Sequence, residues 1–458
     1  MLRQAIRTTL CGFVIAASFQ VAAETQRFPS EAGQVTVKEI AAGLENPWGL
    51  AFLPDGEHML VTERPGRLRL VGLDGSRSEP LAGVPDVFAR AQGGLLDVRL
   101  SPAFEQDRLV YLSYAEVGED GKAGTAVGRG RLSDDRSRLE NFEVIFRQLP
   151  KLSSGIHFGS RLVFDGNGHL FVALGENNQR STSQDLDKHQ GKVVRIGLDG
   201  SVPDDNPFVG RDGVRPEIWS YGHRNQQGAA LNPWSGVLWT HEHGPRGGDE
   251  INIPQAGKNY GWPLATHGIN YSMLPIPEAK GKTVKGTEPP HHVWDKSPGI
   301  SGMAFYDAER FPAWQRSLFI GALVDLSNIP QAGKNYGWPL ATHGINYSML
   351  PIPEAQGKTV KGTEPPHHVW DKSPGISGMA FYDAERFPAW QRSLFIGALV
   401  DLSLIRLQLD GDRIVGEERL LKDLNARIRD VRVGPDGFLY LLTDAADGKL
   451  LQVGLDSN

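Results

Sequence analysis

Cysteine is almost absent from this 458-residue chain: the one example, Cys11, lies near its start. That excludes a disulfide framework, and any thiolate metal cluster, from the rest of the sequence. Positive charge is not in surplus either. Lys and Arg number 48 against 54 Asp and Glu, a formal net charge of −6, so no bulk field favours nucleic acid. No apolar run approaches the ~20 residues that a membrane-crossing helix needs. No segment sustains a 3.6-residue apolar period, so helices are expected to be few. Glycine (54) and proline (30) are plentiful but follow no collagen-like period, and 40% hydrophobic residues argue against disorder.

What is there begins with a stretch that reads as an export signal. Arg3 and Arg7 precede a short apolar stretch from Leu10 to Ala17, and Val21-Ala22-Ala23 before Glu24 fits a small-residue cleavage site. Cys11 lies ahead of the apolar stretch, badly placed for lipid attachment. Residues 1–23 are therefore expected to be removed, leaving 24–458 as one exported, cysteine-free domain. Loss of the two arginines shifts the net charge from −6 to −8.

Two repeats run through the chain. One is nearly literal: Asn252 to Ser327 recurs as Asn328 to Ser403, an offset of 76 residues with a single difference, Lys280 against Gln356. The other is weak and covers everything. Its unit is an apolar strand, a Pro-Asp-Gly-like turn, a second apolar strand and a third ending near Asp-Gly. Trp48 to Phe52, Pro54-Asp55-Gly56, Met59 to Val61 and Leu68 to Val71 form the first instance. Others start at Leu95, Arg161 and Met379, centre on Asn232 to Gly236, and finish with Ile428 to Val433 and Phe438 to Leu442. Short apolar runs bounded by Gly, Pro and Asp read as strands. Six such units without a linker predict an all-β, six-bladed β-propeller. The duplicated segment holds the fifth unit's first two strands and a long loop, Gly261 to Ser297. Its third strand, Leu404 to Leu409, occurs once, so no seventh blade is expected, and one copy should bulge out or compete for one slot.

A propeller gathers loops from distant residues at a central funnel. His157, in a Gly/Ser-rich loop directly before a strand, is a candidate base, with Glu176 at the far end of the same strand pair as its orienting acid. Arg224, followed by Asn225, offers a planar donor fork to an anion or a developing oxyanion. His241 and His243 look like a zinc pair but lack a third ligand. Gly244 and Pro245 expose carbonyls beside Asp249 and Glu250, an all-oxygen set that suits calcium. Arg427 and Arg429 point to one face of a strand, and two like charges so placed call for an anion between them. Gln92 opens the second unit.

These segments together resemble the soluble pyrroloquinoline-quinone (PQQ)-dependent aldose sugar dehydrogenases of the bacterial periplasm. The strongest stretches are Asn46-Pro47-Trp48-Gly49-Leu50, Gln92 to Asp97, Ile218 to Asn225, Glu242 to Asn252, Asn259-Tyr260-Gly261-Trp262 and Arg427 to Arg432. The resemblance implies oxidation of aldoses at C1 to lactones, with hydride passing to PQQ. It makes His157 the base, with Glu176 where relatives place an aspartate. Gln92, Arg224, Asn225, Tyr271, Arg427 and Arg429 become cofactor contacts, Arg224 also steadying the oxyanion. The Gly244 and Pro245 carbonyls match ligands of a catalytic calcium, and Glu250 and Tyr260 match a second, structural calcium site. Where some relatives carry a cofactor-binding lysine, this chain has Val400, or Val324 in the other copy. The duplication also offers Tyr336 and Tyr347 as rivals to Tyr260 and Tyr271; the first pair is favoured because Tyr260 follows directly from Asp249-Glu250. The implied partners are an aldose and an electron acceptor of open identity, with no nucleic acid and no membrane span, in a monomer or homodimer. Two other classes remain: a calcium-dependent propeller hydrolase such as a lactonase, and a non-catalytic carbohydrate- or protein-binding propeller.

Overall fold

The computed structural model describes residues 25–294, 297, 299–306, 317–322, 361, 374–410 and 413–456. They form seven antiparallel sheets, six of them the blades of a β-propeller and the seventh a two-stranded hairpin, with 3-10 turns and one four-residue helix, Phe104–Asp107. Blade 1 is Pro47–Phe52, His58–Glu63 and Arg67–Gly72. Blade 2 is Leu95–Leu100, Leu109–Val117, Ala123–Leu132 and Leu139–Arg147. Blade 3 runs Gly159–Phe164, His169–Leu174, Lys192–Gly197 and Ile218–Tyr221. Blade 4 runs Gln226–Leu231, Leu238–Glu242, Asp249–Asn252 and His292–Trp294. Blade 5 is Ile376–Tyr382, Ser393–Ala398, Leu404–Asp410 and Arg413–Leu420.

Blade 6 takes strands from both ends of the chain. Ile428–Val433, Leu439–Thr443 and Gly448–Leu455 are extended by Gly33–Leu44 and then Thr25–Ser30. Val35 pairs with Leu455 and Val37 with Val453. The six-unit reading started at Trp48 and missed these two N-terminal strands.

Each blade is buried on both faces, which is why its second strand reads as a continuous apolar run. Met59 and Val61 pack with Tyr440 and Leu442 of blade 6, while Leu60 between them packs with Leu95 and Leu112 of blade 2. The core is thus a set of seams between neighbouring sheets. The turns follow their chemistry: Gly56 adopts φ 69°, and Asp55 Oδ1 accepts the N–H groups of Glu57 (2.9 Å) and His58 (3.0 Å).

The first strands line the axis in a ring, in contact from blade 4 through blades 3, 2, 1 and 6 to blade 5. The duplicated hairpin joins that ring. Ile300–Tyr306 and Ser317–Ala322 form a two-stranded sheet whose first strand packs between those of blades 4 and 5, with Ser301 Oγ donating to the Ser377 carbonyl (3.1 Å). Its two strands neither leave the ring nor displace the second copy. They form a narrow wedge, because the third strand exists once and pairs with the second copy, Gly397 opposite Leu404. Val324, Tyr336 and Tyr347 lie outside the described residues.

One ion cluster braces blade 1. Glu63 is fully buried and accepts from Arg67 Nε (2.7 Å), Arg69 Nε (3.0 Å) and the Glu45 N–H (2.5 Å). Burial pushes its carboxyl up, but these donors outweigh burial and hold it below the ordinary glutamate range. Its contribution is therefore present above that range and fades as pH falls through the lowered value. Glu63→Gln should destabilise the fold by about 3 kcal/mol at neutral pH, since it leaves the buried Arg69 guanidinium without its carboxylate, whereas Arg67 keeps Glu45; a urea melt would read this.

Candidate active site

In a meander blade the first and third strands run one way and the second and fourth the other. Residues just before first strands and just after second strands therefore share one end of the propeller. Gln92, His157, Arg224 with Asn225, and Arg427 all precede first strands; Glu176, Gly244 with Pro245, and Asp444 all follow second strands.

His157 is buried and sits at φ +57°, a left-handed conformation that is strained for a histidine. Its surroundings hold it there. The Gln92 side-chain oxygen accepts the His157 N–H (2.8 Å), and Asn177 Nδ2 donates to its carbonyl (3.2 Å). A Cβ at Gly175 would collide with that same carbonyl, so the glycine is required. His157 Nδ1 lies 2.7 Å from Glu176 Oε2. The extra methylene of glutamate over aspartate thus still reaches the ring, and the bond fixes the tautomer with Nδ1 protonated and Nε2 basic.

The hydrogen bonds continue without a break. The Glu176 N–H donates to the Arg224 carbonyl (2.9 Å), and the Arg224 N–H to Glu242 Oε2. Arg224 Nη1 donates to the carbonyls of His243 (2.9 Å) and Gly244 (2.7 Å), and its guanidinium lies 5.4 Å from the Trp262 ring centre. Arg224 Nε and Glu176 Oε1 are buried without a protein partner. Asn225 is buried beside Arg224; its side-chain oxygen accepts from Gln227 (3.0 Å).

The other candidates are placed differently. Arg427 and Arg429 share one internal anion, Asp444 Oδ2, at 3.0 and 2.7 Å, and Arg427 also donates to the Leu399 carbonyl. The charge problem posed by the pair is met within the fold, and sequence reasoning missed Asp444. Tyr271 is 73% exposed, on a long loop that reaches the site through backbone bonds between Ile269 and Arg246. Val400 is exposed at the surface.

For the first calcium position, the Pro245 carbonyl accepts from Ser297 (3.3 Å) and the Gly244 carbonyl from Arg224. Asp249 is occupied by the N–H groups of Gly244, Gly299 and Ile300. The chain thus offers two neutral oxygens there, and a calcium fits only with the remaining ligands drawn from a bound oxygen-rich molecule and water.

The second position is more strongly marked. Glu250 and Tyr260 line a cavity with His267, Lys282 and Glu288. Burial and the neighbouring Glu242 carboxylate hold Glu250 well above the ordinary range, while Glu242, raised mainly by burial, stands at about 7. Such a pair favours a bound cation. The Tyr260 hydroxyl donates to the Ile253 carbonyl (2.5 Å), which leaves its backbone carbonyl as the available oxygen. His243 Nε2 meets the Ile300 carbonyl (2.5 Å), and His241 is buried with a pKa pulled down to about 3 by burial. Among the described residues no three His, Cys, Asp or Glu side chains gather as a metal site.

Sequence comparison matches the glucose/sorbosone dehydrogenase family over residues 44–327 and 324–452, the break falling where the two copies meet. The chain belongs to this family. This family member is 51% identical over 419 residues to the aldose sugar dehydrogenase YliI of Escherichia coli K12, covering 92% of each chain. The apo structure of the soluble aldose sugar dehydrogenase from Escherichia coli superposes with a TM-score of 0.66 at 50% identity, over 92% of this chain and all of that one. Quinoprotein glucose dehydrogenase B of Acinetobacter calcoaceticus is 25% identical over 441 residues, 89% of this chain and 85% of that protein.

Proposed function

We propose that this family member oxidises aldose sugars at C1 to lactones, using PQQ and calcium, after export to the periplasm through removal of residues 1–23. The observation that carries the reading is the unbroken hydrogen-bond chain from Gln92 through His157, Glu176 and Arg224 to Gly244. The family match and the quinoprotein relative support it.

The residues divide the work. Glu176 holds Nδ1, so Nε2 takes the proton of the C1 hydroxyl, and the same carboxylate steadies the imidazolium that results. Arg224 directs its remaining N–H groups, including the unpartnered Nε, at an oxyanion. Gln92, Asn225, Tyr271, Arg427 and Arg429 would hold the cofactor; an unpartnered guanidinium N–H and two further arginines form a donor set that fits a polycarboxylate. Bound PQQ would supply the two-electron acceptor for the C1 hydride, with calcium at the Gly244 and Pro245 carbonyls polarising it. Glu250 and the Tyr260 carbonyl would hold the structural calcium.

The test is direct. Purified protein supplied with calcium and PQQ should reduce a redox dye only when an aldose is present. Silence with every aldose tried, or lactone hydrolysis without added quinone, would refute the reading.

A further inference from the structure

Lys192 has no part in the chemistry just described, yet it is fully buried. Its ammonium lies 3.0 Å from the Thr182 carbonyl, 3.0 Å from that of Ser183 and 2.7 Å from that of Gln190. Those three oxygens come from the two limbs of one loop, which leaves blade 3 at Glu176 and returns at Gly191. Three carbonyl dipoles aimed at one point repel one another unless a cation stands between them. Burial, only partly offset by the Asp185 and Asp187 carboxylates, pulls the Lys192 ammonium down to about 7. The oxygens oppose that pull, because a neutral amine has two N–H groups for three acceptors.

The braced loop touches the Arg224 segment at several points. The Ser183 carbonyl that meets Lys192 also accepts the Gly222 N–H (3.0 Å), and Ser183 Oγ donates to the His223 carbonyl (2.8 Å). The His223 N–H donates to the Gly191 carbonyl (3.0 Å), and the Glu176 N–H to that of Arg224 (2.9 Å). Blade 4 is tied in as well, through Gln226 Nε2 to the Lys192 carbonyl (3.4 Å).

We infer that Lys192 is a positioning residue, whose buried ammonium clamps the loop bearing Glu176 against the segment bearing Arg224. The inference rests on the proposed roles of Glu176 and Arg224. It predicts a particular kind of defect. Small displacements of an acid–base group slow the chemical step, while aldose binding should hardly change.

Lys192→Ala should lower kcat about tenfold or more with the aldose KM within about twofold of wild type. It also leaves a carbonyl cage with room for the deleted atoms. n-Propylammonium, which carries those atoms, should restore most of the lost kcat in a saturable way and raise the Tm of the variant, but not of wild type. Tetramethylammonium, which has no N–H, should do neither. An unchanged kcat overturns the inference, as does a folded variant that n-propylammonium neither stabilises nor reactivates. Stabilisation without reactivation also overturns it, since the cage would then be structural only. If Lys192→Ala does not fold, Lys192→Met serves: a fall in kcat at constant KM supports the clamp, and wild-type kcat overturns it. Wild-type protein inactive with every aldose would sink the proposed function instead, and the thermal shift would still report on the cage.

Discussion

His157→Ala should lose aldose oxidation by about 10²–10⁴-fold while still taking up quinone, because the proposed cofactor contacts come from other residues. Steady-state dye reduction reads the first effect and a quinone titration followed by fluorescence reads the second. Turnover close to wild type would remove His157 as the base. The companion change, Glu176→Gln, separates two roles of the carboxylate. Glutamine keeps a hydrogen-bond partner at Nδ1, held at 2.7 Å in the native protein, but provides no negative charge to steady an imidazolium. A smaller loss, about tenfold to a hundredfold, is expected.

The second large effect concerns stability. Deleting residues 328–403 joins Ser327 directly to Leu404 and leaves 382 residues, with every strand of blade 5 still encoded. The first copy's hairpin would then pair with Leu404–Asp410 as the second copy's does now. At present Ser317–Ala322 has a strand partner on one side only among the described residues, and such an edge is a template for aggregation. The shortened chain should melt at least about 5 °C higher and scatter less light on heating, with aldose activity no lower than before. A lower Tm would show that the wedge stabilises the ring.

How far the sequence could be read follows from what each pattern encodes. The strand units were legible because both faces of each blade are buried, giving apolar runs bounded by Gly and Pro-Asp-Gly turns. The N-terminal strands were not: Thr25–Ser30 is mostly exposed and polar, and Gly33–Leu44 gains its partner only from the far end of the chain. His157 and Glu176 could be placed side by side from the sequence because each sits at a strand end that the unit repeat locates, and their side chains meet at 2.7 Å. Asp444 escaped notice, although it follows a second strand as Glu176 does.

An acid lies at the end of the second strand, or within three residues beyond it, in every blade: Glu63, Glu116, Glu176, Glu242, Asp401 and Asp444. Each holds a basic or backbone partner, such as Arg67 for Glu63, Arg147 for Glu116, Arg419 for Asp401 and Arg427 for Asp444. These pairings join strands of one blade, and apart from Glu63 with Arg67 the partners lie 17 to 31 residues apart, where strand register and not a short motif brings them together. The wedge was hidden for a related reason, since identical copies cannot show which partners each will find.

The joint in blade 6 has a bearing on how the protein comes to exist at all. Gly33–Leu44 is made long before Gly448–Leu455, so the earlier strand must wait for the later one before the circle can shut. Any folding before release yields an open crescent with two raw ends.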